Sequence, residues 1–128
     1  MASAGNLGIA DDKHYPSGSD YVCAVAATNS HDSRAYFSSF GESVEIGAPG
    51  EGMIGAGPNR VNAIGSGTSF AAPIVAGAFA CKLQAADHSP QQLRAALTAS
   101  SVPLLDTEYR DGLMAGRIDY DGFLFTAP

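Results

Sequence analysis

Twelve consecutive residues, Phe70 to Cys81, carry no charged or strongly polar side chain. A helix that is apolar all round has no solvent face and belongs inside a core. The run is too short to span a bilayer, which takes about 20 residues. It therefore predicts a buried helix from Phe70 to about Ala86, with the rest of the chain built around it. Pro73 falls in the first turn, where a helix tolerates proline. At 128 residues the chain is sized for one domain with a real core, and residues 1–128 read as one unit without repeats or linkers. Forty-five per cent hydrophobic and 16 % charged residues are a globular balance. Thirteen acids against seven Lys plus Arg give a net charge of −6. That charge argues against nucleic-acid or anionic-membrane partners held through bulk charge. No secretory-signal pattern is visible at the N-terminus. Cys23 and Cys81 are too few to staple a fold and read as buried free thiols, with a single disulfide between them the alternative.

Glycine clusters at 5–8, 41–57 and 65–67, breaking the chain between apolar runs. Tyr21 to Ala27 is short and apolar on both faces, as a strand buried in a parallel sheet would be. Val44 to Ala48 reads as a second strand, stopped by Pro49-Gly50. Gly52 to Ala56 and Arg60 to Ile64 form a hairpin around Gly57-Pro58-Asn59. Ser89-Pro90-Gln91-Gln92 opens a further helix: Ser89 caps, Pro90 takes the first position, and Gln92 reaches back. Strands mixed with helices, one of them fully buried, indicate a layered α/β architecture.

The chemistry concentrates in Gly65-Ser66-Gly67-Thr68-Ser69-Phe70-Ala71-Ala72-Pro73. A serine stands where a glycine-rich loop turns into the buried helix. The helix start offers unpaired N–H groups and a positive dipole end beside the hydroxyl. Such a place favours negative charge developing on a bound carbonyl oxygen. A bare Gly-x-Ser would more simply place a capping serine. The longer string resembles the nucleophile signature of the subtilisin-like serine proteases, Gly-Thr-Ser-x-Ala-x-Pro-x-Val-Ala-Gly, whose fixed positions are all present in residues 67–77. Ser3-Ala4-Gly5-Asn6-Leu7-Gly8 resembles the family's loop whose asparagine donates to the oxyanion. Tyr15-Pro16, Phe37-Ser38-Ser39-Phe40-Gly41 and Ala48-Pro49-Gly50 match further family strings in the family's order. After Leu105 the likeness is loose.

The resemblance implies a three-layer αβα fold with a mostly parallel sheet, of which this chain holds the C-terminal part. It implies Ser69 as nucleophile and Asn6 as oxyanion donor, with Gly5, Tyr15, Pro16, Gly67 and Thr68 against the substrate. It requires no cofactor, although the family often holds a structural calcium at loop carbonyls, here around residues 15–22. The family's Asp and His precede the asparagine loop, and neither of their strings is present. His14 reads as a solvated loop residue and His31, beside Asp32, as a surface turn. His88 reads as a helix C-terminal cation about 28 Å from Ser69 along an unbroken helix. None serves as base. Gly67 to Ala71 fits the nucleophile elbow of another hydrolase class only loosely, with no suitable His downstream. Asp11-Asp12, Glu42-Glu45 and Asp119-Asp121 lack the EF-hand spacing and read as solvated loops. Two functions follow. One is a serine endopeptidase completed by an N-terminal segment or partner chain bearing Asp and His. The other is an inactive protease-like binding or regulatory module.

Overall fold

Alternation along the second strand sorts its side chains between two faces and fixes where the core lies. In the computed structural model, which describes residues 1–10, 14–106 and 115–127, β1 (Ala2–Ser3), β2 (Ala24–Thr28) and β3 (Val44–Pro49) form a parallel sheet in that order. Val25 and Ala27 join Cys23, Ile46 and Ala48 on the face that carries the helices. Ala26 turns to the other face and meets Ala4 and Val44 in a smaller cluster. All five residues of β2 are buried. The described residues thus supply the sheet and one helical layer of the αβα architecture. The strand starts at Ala24 rather than Tyr21, because Val22 N–H closes a turn on Ser19 C=O at 2.9 Å. Tyr21 is consequently 97 % exposed.

Helix α1 (Thr68–Ala85) lies across β2 and β3. Its buried positions are Thr68, Ala71, Val75, Ala78 and Lys82, one stripe at spacings of three and four. This corrects the expectation of burial all round. The sheet and α3 (Tyr120–Phe125) cover one side, while Phe70 and Leu83 stand exposed. Cys81 is exposed too, accepting a hydrogen bond from the Tyr120 hydroxyl at 3.2 Å; only Cys23 is a buried thiol. Lys82 is the buried residue of that turn, in place of an apolar one. Its Nζ donates to Phe123 C=O at 2.6 Å and Thr126 C=O at 2.7 Å, satisfying carbonyls that the end of α3 leaves unpaired.

Helix α2 (Pro90–Ser100) starts with the expected capping box: Gln92 N–H donates to Ser89 Oγ at 3.2 Å, and Ser89 N–H to Gln92 Oε1 at 2.8 Å. Leu93, Ala96 and Leu97 form its buried stripe. The hairpin is present as β4 (Met53–Ala56) and β5 (Asn62–Gly65), with Ile54 opposite Ile64. It stands away from the core, and both isoleucines are exposed. His31 is exposed in the expected turn, where Asp32 pairs with Arg117. Helix α1 ends at Ala85, so His88 lies beyond it in the connection to α2 and is no helix C-terminal cation. Among the other acids, Asp119 caps α3 through Gly122 N–H, and Asp11-Asp12 lies outside the described residues.

Candidate active site

The loop before α1 is fixed from below. Gly67 N–H donates to Gly50 C=O at 2.8 Å, tying it to the end of β3. A side chain on Gly50 would come within 2.9 Å of Gly67 C=O, so glycine is what allows this approach. Gly67 is the N-cap of α1 in extended backbone, and Ser69 is the helix's second residue. Ser69 is therefore not a capping serine. It is exposed, and among the described residues its hydroxyl makes no hydrogen bond.

The cap comes instead from 62 residues away. Thr68 N–H and Thr68 Oγ both donate to Asn6 Oδ1, each at 2.9 Å, and Gly5 N–H donates to Thr68 Oγ at 3.2 Å. Two donors on one side of the carboxamide fix which atom is oxygen. Asn6 Nδ2 is thereby turned away from them, exposed at the N-terminus of α1, with no partner among the described residues. It lies 3.4 Å from where a Cβ on Gly67 would stand, within van der Waals contact of that position. An exposed hydroxyl, a free amide donor and the positive end of an 18-residue helix converge on one spot. That arrangement suits a carbonyl oxygen acquiring negative charge.

Of the residues expected against substrate, Gly5 and Gly67 flank this spot. Thr68 does not face it: the residue is fully buried and acts by holding Asn6. Reading the sequence alone missed that link, since a threonine before a serine carries no mark of a contact 62 residues away. Tyr15 and Pro16 are exposed, joined by a cis peptide bond. They connect to the site through His14, which is half-buried rather than solvated. Its ring carbon Cδ2 lies 3.7 Å from where a Gly5 Cβ would stand. The Ser17 hydroxyl gives its proton to His14 C=O at 2.8 Å, so it accepts from His14 Nδ1 at 3.1 Å. None of His14, His31 and His88 is bonded to Ser69.

The loop expected to hold calcium, residues 15–22, borders a cavity of about 250 Å³ lined by Asp20, Glu42, Glu45 and Arg94. Calcium takes six to eight oxygens. Here Arg94 already donates to Asp20 C=O at 2.8 Å and pairs with Glu45 at 3.2 Å. The pKa of the neighbouring Cys23 thiol is pushed up to about 12, by burial first and then by the Glu45 carboxylate. Glu45 Oε2 is nonetheless buried without a hydrogen-bond partner among the described residues. Among the described residues no group of three or more His, Cys, Asp and Glu is placed to hold a metal.

The family model for the subtilase family matches residues 1–116. This chain belongs to the subtilase family. It is 35 % identical to subtilisin-like protease 11 of Arthroderma benhamiae, over 81 % of this chain and 26 % of that protein. It is 37 % identical to subtilisin DY of Bacillus licheniformis, over 85 % of this chain and 41 % of that protein. In three dimensions it resembles the patellamide maturation protease PatA at 36 % identity and a TM-score of 0.82, covering 96 % of this chain and 48 % of that one. The prenylagaramide maturation protease PagA gives the same TM-score at 32 % identity, with 96 % and 48 % covered. This subtilase chain thus spans about half the length of those structures and less of the curated relatives.

Proposed function

We propose that this chain supplies the nucleophile and the oxyanion donor of a serine endopeptidase. Ser69 attacks the scissile carbonyl of a peptide and carries the acyl group. Asn6 Nδ2 and the Ser69 backbone N–H hold the oxygen as it becomes negative. The observation that carries this reading is the double hydrogen bond from Thr68 to Asn6, which leaves Nδ2 free beside an exposed serine. A serine hydroxyl is a weak nucleophile without a base in reach, and no histidine of the described residues touches Ser69. The base and its orienting carboxylate come from an N-terminal segment or partner chain that bears His and Asp. Its docking face is the free edge of β1 and the open side of α1, where Met1, Tyr21, Phe79 and Leu83 line an apolar groove of about 420 Å³. Large exposed apolar patches mark such interfaces.

Ser69→Ala is expected to abolish turnover of a peptide substrate by the assembled protein and to leave assembly intact. The helix cap is Gly67 and the remote Asn6, so loss of this hydroxyl removes no cap. Full turnover by the variant would rule out Ser69 as the nucleophile, and an assembled parent without turnover would leave the inactive binding module as the reading.

A further inference from the structure

A donor amide serves an oxyanion only if its backbone holds still, and packing does not anchor the loop that carries Asn6. The side chains of Asn6, Leu7 and Ile9 are all exposed, Leu7 to 75 %. Thr68 holds the Asn6 side chain from the helix side. On the other side lies Ser39, a buried residue whose hydroxyl takes no part in the attack. Ser39 N–H donates to Gly5 C=O at 2.9 Å, and Ser39 Oγ accepts from Leu7 N–H at 3.4 Å. Gly5 C=O belongs to the peptide unit before the Asn6 Cα, and Leu7 N–H to the unit after it. Peptide units are planar, so holding both sets the φ and ψ of Asn6. Ser39 is anchored in turn by the sheet. The fully buried Ser38 hydroxyl accepts from Ala27 N–H of β2 at 2.9 Å and donates to Ser39 C=O at 3.1 Å.

We propose that Ser39 is a positioning residue for the oxyanion donor, setting the Asn6 backbone as Thr68 sets its side chain. The proposal rests on the reading of Asn6 as that donor. A preorganised donor acts at full strength only where it already points at the developing charge. Ser39 supplies that order through the loop and makes no contact with substrate. Its Oγ also lies 3.2 Å from where a Cβ on Gly5 would stand, in space that the glycine leaves open. Gly5 N–H goes to Thr68 Oγ and its C=O to Ser39 N–H, so the residue before Asn6 is held from both sides.

The test begins with single-amide hydrogen exchange in the assembled protein, carrying Ser69→Ala to prevent self-digestion. Leu7 N–H is expected to be protected although its side chain is exposed. Ser39→Ala keeps the bond to Gly5 and loses the one from Leu7, so Leu7 should exchange about two- to tenfold faster, the scale of one hydrogen bond. Amides of α2 should be unchanged, which shows that the variant is folded. With Ser69 in place, Ser39→Ala should lower kcat by a similar factor and leave KM unchanged. Added to Asn6→Ala, it should cost nothing more. A Leu7 amide unprotected in the parent would overturn the proposal. So would an unchanged kcat, an effect confined to KM, or additive losses in the double variant. Full kcat in Asn6→Ala would instead remove Asn6 as the oxyanion donor, so the two failures are told apart.

Discussion

The hydroxyl of Thr68 has one proton to give, and it gives it to Asn6 while accepting from Gly5. That choice turns the Asn6 amide outward. Thr68→Val keeps shape and burial but removes the bond, so Asn6 is left with one donor instead of two. The expected result is a fall in kcat of about tenfold with little change in KM, the scale of one hydrogen bond. Asn6→Ala should cost about 10²–10³ in kcat, a magnitude carried over from the oxyanion amide of a subtilisin. If Thr68 acts through Asn6, the double variant should match Asn6→Ala alone; additive losses would refute the link. That Asn6 and the loop of Ser69 come together was legible in the sequence because each stands in its own contiguous, chemically particular string. Thr68's role and the place of His14 were not, since both depend on contacts made only when distant loops meet. The two thiols divide likewise by surroundings. Cys23 is buried with its pKa near 12, and Cys81 is exposed. Cys81 should therefore be alkylated within minutes at pH 8, and Cys23 only on unfolding. The raised Cys23 pKa also sets a sign. Between the ordinary thiol value and about 12 the unfolded chain releases a proton that the folded one keeps. That contribution to stability is present below pH 9 and is lost as pH rises towards 12.

At the scale of elements, α1 shows where pattern reading stops. Its all-apolar run predicted burial on every side, yet the described residues cover one stripe. Periodicity reports what a helix is able to bury, and the neighbours decide what it does bury. Lys82 is the sharper case. Lysine is seldom fully buried, but Lys82 lies buried because α3 presents it with unpaired carbonyls. The α2 start and the hairpin were legible because capping boxes and Gly-Pro-Asn turns act locally. Lys82→Met should preserve volume and lose these charge-assisted bonds, worth about 1.5–3 kcal/mol each when the partner is left unsatisfied. Amide exchange should then rise at residues 120–126 and not in α2. Equal loosening of both helices would mean that Lys82 supports the core as a whole.

At the scale of the molecule, the described residues form a three-stranded parallel sheet with helices on one face, a separate two-stranded hairpin, and a free strand edge, β1, on the side where the apolar groove opens. The subtilase structures it resembles are about twice as long. Fold class was legible because a parallel β-strand buried on both faces allows few architectures. A chain with one face of its central helix open should self-associate or seek a partner. Ser69 should be a nucleophile only when a base from outside the described residues reaches it. Fluorophosphonate labelling, with the adduct mapped by mass spectrometry, tests this most directly. It is applied to this chain alone and again with the Asp- and His-bearing segment joined or added. No adduct is expected on the chain alone, and a single adduct is expected on Ser69 in the assembled protein. A monomeric, cooperatively folded chain that labels at Ser69 unaided would contradict it, and so would an assembled protein that does not label there.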